Sequence, residues 1–150
     1  MTQQKKQFVV AIAVIQDEEG KVLMQKRVDP EPAWAYGKWE FPGGGIEWGE
    51  SPEEALHREV AEEIACKVGI IGLIPSIASV VRPGDNGSEF HALLMYYRCR
   101  ILSGEKPRPM DPEVGEIRWW PLHEACKFDL LPGDEKILEY LKDSEADLQR

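Results

Sequence analysis

The sequence predicts an α/β protein, a mixed β-sheet with helices packed on both of its faces. Three observations carry this. An apolar, β-branched run at residues 8–15 and an alternating strand at 22–27 come ahead of any helical pattern. A helix with a clear start signal opens at Ser51 and meets no breaker before Cys66. Further strand-like segments follow, and the last helical patterns come at the end of the chain. Strands on either side of a central helix, with more helices after them, require both faces of the sheet to be covered.

Taken in order, Phe8 to Ile15 (FVVAIAVI) is almost continuously apolar, as expected of a strand buried on both faces. Asp17-Glu18-Glu19-Gly20 is a turn, and Val22 to Arg27 returns as an alternating strand, which predicts a hairpin. Val28 to Lys38 (VDPEPAWAYGK) is an irregular loop with two prolines and two aromatics, Trp34 and Tyr36, long enough to be functional. Trp39 to Pro42 is a short strand that feeds a glycine turn, Gly43-Gly44-Gly45. After the central helix, Lys67 to Val81 reads as a strand interrupted at Pro75, and Arg82 to Ser88 as a turn cluster. Glu89 to Leu102 is the longest strand candidate, Ser103 to Gly115 a proline-rich connection, and Ile117 to Pro121 a last strand. Leu122 to Phe128 is a short helix. Asp134 to Lys142 is an amphipathic one with Ile137, Leu138 and Leu141 inward, and fraying is expected after Asp143.

With 150 residues, an apolar fraction of 43% and a charged fraction of 30%, the chain suits one soluble domain spanning residues 1–150. Its net charge of -9 argues against a nucleic-acid polymer or an anionic membrane as partner. Cys66, Cys99 and Cys126 lack metal-ligand spacing and read as free thiols of a reducing compartment. Without a signal peptide or a transmembrane run, the expected location is the cytoplasm. His57, His91 and His123 are scattered and form no zinc pair.

The central helix carries more acid than folding asks for. Ser51 is its N-cap, Pro52 its first residue, and Glu54 completes a capping box. At 3.6 residues per turn, Leu56, Val60 and Ile64 form one apolar stripe, and Glu59, Glu62 and Glu63 converge beside it. Like charges at that spacing repel by about 0.2–0.5 kcal/mol per pair. A hard divalent cation with oxygen ligands reverses the sign of that interaction.

From Gly44 to Cys66 the chain resembles the Nudix box, G-x5-E-x7-R-E-U-x-E-E-x-G-U, where U is bulky and aliphatic. Gly44, Glu50, Arg58, Glu59, Val60, Glu62 and Glu63 fall in register. Ala65 stands in place of the family glycine, which predicts a less sharply turned helix exit, and Cys66 is a soft fit to the last aliphatic site. The resemblance implies an α/β/α sandwich of MutT-like type, a hydrolase that attacks a nucleoside diphosphate linked to another group, X.

What the resemblance implies for individual residues suits phosphoryl chemistry, which needs charge neutralisation and positioning above all. Glu59, Glu62 and Glu63, helped by the Gly43 carbonyl, are expected to hold Mg2+, with Mn2+ as a substitute. Arg58 would orient one of the glutamates through a bidentate pair, and Glu50 would add a ligand or a hydrogen bond. Glu47 matches a common family acid with no certain role. The general base is expected in the box, at Glu59 or Glu62. The alternatives outside it are Glu113 and Glu116, then Glu89 and Asp111. Arg27 is a candidate for substrate phosphate, Trp34 and Tyr36 are candidates for stacking on a base, and Trp39 and Phe41 are structural.

The expected function is Mg2+-dependent hydrolysis of a nucleoside triphosphate or an oxidised relative to release pyrophosphate. An ADP-ribose or nucleotide-sugar pyrophosphatase is the second reading, with Pro83 as its one supporting residue. A nucleotide-binding module without catalysis is the third. The partner is a small nucleotide, and a homodimer is left open.

Overall fold

The computed structural model describes residues 5–84 and 87–148. Among these residues the chain forms β1 (Lys5–Ile15), β2 (Val22–Arg27), β3 (Trp39–Glu40), β4 (Gly43–Gly45), α1 (Pro52–Ile64) and β5 (Val68–Pro83), followed by β6 (Glu89–Ile101), β7 (Val114–Trp120), α2 (Leu122–Ala125) and α3 (Asp134–Leu148). The strands make two sheets, a four-stranded one in the order β4-β1-β6-β5 and a three-stranded one in the order β3-β2-β7. β1 and β6 run parallel and the other pairs are antiparallel, so the larger sheet is mixed, as expected.

Alternation along β1 builds the layers. Ile12 and Val14 point to one side, where they pack with Ile137, Leu138 and Leu141 of α3. Ala11, Ala13 and Ile15 point to the other, against Leu56, Val60 and Ile64 of α1. The small alanines let the helix approach the sheet closely. β2 repeats the pattern, with Val22 and Met24 on the α3 side and Leu23 on the α1 side. Helices therefore cover both faces.

Several boundaries differ from the expectation. β1 and β2 do not form a hairpin, and only Gln16 and Val22 bridge them. The reason lies in β1, whose two edges are already taken by β4 and β6, so β2 pairs instead with β3 and β7. The three glycines are not a turn but the short strand β4, with Gly43 opposite Ile12 and Gly44 opposite Ala11. β5, with 16 residues, is longer than β6 with 13. The predicted interruption at Pro75 appears as a register shift between Leu73 and Ile77, because a proline has no N–H for the ladder. Arg82 and Pro83 belong to β5 and not to the following turn, two of whose residues (85–86) lie outside the described ones. β7 begins at Val114, three residues early, and α2 ends at Ala125. Of the residues after Asp143, where fraying is expected, 144–148 remain in α3, and 149–150 lie outside the described ones.

Candidate active site

α1 is the platform. The Ser51 hydroxyl accepts the Glu54 N–H at 3.1 Å, and buried Leu56, Val60 and Ile64 fix the rotation of the helix against the sheet. That rotation carries Arg58, Glu59, Glu62 and Glu63 along the flank next to β4.

Arg58 is the hub of this flank. Its Nε and Nη2 grip the two oxygens of Glu50 at 2.8 and 2.9 Å. Nη1 donates to Glu59 at 2.8 Å and to Glu62 at 3.4 Å, and Nη2 also reaches the Gly45 carbonyl at 3.1 Å. Glu47 stands 3.8 Å away at the solvent edge. The bidentate grip holds the Glu50 carboxyl down at about 2, and the same hydrogen bonds raise the guanidinium above its ordinary value. Glu59 is shifted upward, mainly by burial, with Arg58 opposing and the charges of Glu62 and Asp111 adding.

Glu63 has other partners. Its Oε2 accepts the Gly43 N–H at 3.1 Å and the Gln25 Nε2–H at 2.9 Å. Burial first, and the nearby Glu40 second, push its carboxyl up to about 9. Glu40 is itself raised to about 7 by burial, against the pull of Arg27. Gly44 explains the glycine run, because a Cβ there would run into the Glu59 carboxylate, while one at Gly43 would strike the Ala11 carbonyl of β1.

β4 also forms the rim of a cavity of about 330 Å³. Phe8, Val10, Trp34, Phe90 and Leu94 make its walls apolar, and Arg27, Glu40 and Asp134 are its charged groups. A bulge between Lys26 and Arg27 re-aims the arginine, whose Nη1 lies 3.5 Å from Glu40 and whose buried Nε has no partner among the described residues. Asp134, 3% exposed at the start of α3, accepts the Tyr96 hydroxyl at 2.9 Å, and burial holds its carboxyl well above the usual range.

The expected site residues thus divide into groups. Arg58, Glu50, Glu59 and Glu62 come together, Glu63 joins them on the Gln25 side, and Gly43 meets Glu63 through its N–H. Among the described residues no three carboxylate, imidazole or thiol groups stand arranged to hold a metal ion. Trp34 is not an exposed loop tip. It packs on Phe90, lies under the Arg82 guanidinium and donates to the Pro83 carbonyl, as a wall of the cavity. Tyr36, 58% exposed, lines a separate groove with Lys26, Gly115 and Glu116. Glu113 is near Arg27 and shifted upward, mainly by burial, whereas Glu116 pairs with Arg118 at 3.0 Å. Glu89 opens β6 opposite Lys5 and Pro83.

Gln25, Glu40 and Asp134 were not anticipated. Their signals are faint but present. A glutamine interrupts the buried run VLMQKR, and a glutamate is wedged between Trp39 and Phe41. Ala65 is a correction of another kind, because it caps α1 in the left-handed region at φ 53°, the sharp exit a glycine would make. The cap forms because the Ala65 N–H still reaches the Ala61 carbonyl at 3.1 Å.

Comparison with known proteins gives consistent matches. Residues 6–141 match the family model described as NUDIX domain. A putative 8-oxo-dGTP diphosphatase 2 of Mycobacterium tuberculosis is 35% identical, the match spanning 96% of each chain. An RNA pyrophosphohydrolase of Pseudomonas aeruginosa is 38% identical over 77% of this chain and 79% of that protein. Among solved structures, a MutT NUDIX hydrolase from Burkholderia pseudomallei superposes with a TM-score of 0.67 and 28% identity, covering 91% of this chain and 97% of the other.

Proposed function

The chain belongs to the NUDIX domain family and is a nucleotide pyrophosphohydrolase, and from that premise we propose that it converts a nucleoside triphosphate with an oxidised base to the monophosphate and pyrophosphate. The observation that carries this reading is the juxtaposition of the Arg58 cluster with the cavity across β4. The diphosphate would lie along the glycines, and the base would enter the cavity against Trp34, Phe90 and its other apolar walls. Arg27, whose Nε has no partner among the described residues, lies at the cavity and is suited to a phosphate or ribose oxygen, and Glu40 and Asp134 to the polar edge of a base.

Divalent metals are general in this family, and the donors here fit Mg2+. They are carboxylate oxygens, crowded and partly desolvated, beside a glycine cradle that a side chain would fill. We assign Glu59, Glu62 and Glu63, with the Gly43 carbonyl, to holding the ion, which would neutralise diphosphate charge and acidify a bound water. Arg58 fixes Glu50 and Glu59 so that neither swings into the substrate channel. Glu59, whose second oxygen is not bound by Arg58, takes the proton of the attacking water, and Glu62 is the other acid in reach of that task. One domain over residues 1–150 and a cytoplasmic location complete the proposal, the latter supported by the three free thiols.

The test is a panel of canonical and oxidised nucleoside triphosphates, ADP-ribose and 5′-triphosphorylated RNA, incubated with Mg2+ and scored by product. The expected result is pyrophosphate release with the highest kcat/KM on an oxidised triphosphate. Glu59→Gln and Glu62→Gln should lose that turnover with Tm little changed. Faster cleavage of ADP-ribose or of the RNA would overturn the substrate assignment, and wild-type rates in both variants would overturn the site.

A further inference from the structure

We propose that Gln25 is a positioning residue for Glu63, and that through Glu63 it sets the affinity of the site for its divalent cation. This rests on the metal assignment above. Gln25 lies on β2 two residues after Leu23, so the pleat points it into the core facing α1. It is 1% exposed and, with Asp134, one of two buried polar side chains among the described residues. Its Nε2 donates to Glu63 Oε2 at 2.9 Å and approaches Oε1 of Glu40, its cross-strand neighbour, at 3.4 Å.

The Gly43 N–H donates to the same Glu63 oxygen at 3.1 Å. Two donors on Oε2 pin the carboxylate in one orientation and leave Oε1 as the oxygen for a cation. Packing does not account for the glutamine. Its own carbonyl oxygen is buried without a partner among the described residues, a cost that an apolar residue such as Leu23 avoids. The amide also suits this place because it is neutral. A lysine or arginine could orient Glu63 equally well, but its charge would stand in for the cation and weaken binding.

The experiment measures Mn2+ binding by electron paramagnetic resonance and titration calorimetry in wild type, Gln25→Met, Glu63→Gln and the double variant. Gln25→Met keeps length and removes the donors. It should bind Mn2+ about 10–100-fold more weakly, the usual consequence of losing a ligand-orienting hydrogen bond. If Gln25 acts through Glu63, Gln25→Met should add no loss in the Glu63→Gln background. Should Gln25→Met fail to fold, Gln25→Asn, which withdraws the amide by one methylene, is expected to show the same loss. Wild-type affinity in the folded variant, or losses that add in the double variant, would overturn the proposal and leave the metal assignment intact. A wild-type protein that binds no Mn2+ would remove both.

Discussion

Arg58 and Gly44 show how the smallest and one of the largest residues share a task. The guanidinium draws Glu59 toward β4 with a 2.8 Å hydrogen bond, and the absent side chain of Gly44 is the space into which that carboxylate fits. A methyl group at position 44 would meet the end of a flexible side chain, not backbone, so Glu59 would give way before the fold does. Gly44→Ala is therefore expected to leave Tm nearly unchanged and to lower kcat/KM about 100-fold, the scale of a 1 Å misplacement of a catalytic group. Wild-type kcat/KM in that variant would mean that Glu59 is not held where catalysis needs it. At this scale the acids were legible, because their spacing on a helix is a sequence property. Gln25 and Glu40 were not, because they meet Glu63 only through strand pairing between β2 and β3 and across to α1.

α1 is the element whose start and stop both carry meaning. Its beginning was readable from Ser51-Pro52-Glu53-Glu54, since a cap is a local arrangement. Its end was misread, because the left-handed exit was expected to need glycine and Ala65 makes it at φ 53°. An L-residue with a Cβ in that region is strained by about 1–2 kcal/mol, partly offset by the greater unfolded-state entropy of glycine. Ala65→Gly should therefore stabilise the protein by about 1 kcal/mol, a rise of about 2–4 °C in Tm for a chain of this size. A fall in Tm would mean that the Ala65 methyl makes compensating contacts. Strands show the same division. β1, β2, β5 and β6 were visible as strand-like segments, but their partners were not, since the hydrogen-bonding edges of β1 are claimed by residues far away in sequence.

For the molecule as a whole, the excess of acid has a cost that a cation can offset. Twenty-seven Asp and Glu residues oppose 18 Lys and Arg, and the site adds Glu40 and Glu63, both raised from 4.5 by burial, to about 7 and about 9. Through these two groups the folded chain binds more protons than the unfolded one between about pH 4.5 and about 9, so their contribution to stability falls as pH rises across that window. This contribution is complete below pH 4.5 and is lost as the pair ionises on passing through about 7 and about 9. In EDTA, Tm should decline from pH 5 to pH 9, and Glu63→Gln should flatten the decline by removing one of the two charges. Mg2+ should restore Tm most at the alkaline end, where the carboxylates are free of protons. At about 100 times its dissociation constant a ligand adds about 2.7 kcal/mol to the folded state. The check is a set of melting curves across pH for wild type and Glu63→Gln, each with EDTA and with Mg2+. Equal slopes in the two proteins would show that the buried acids do not set the pH dependence. An equal response to Mg2+ would show that the ion binds without Glu63.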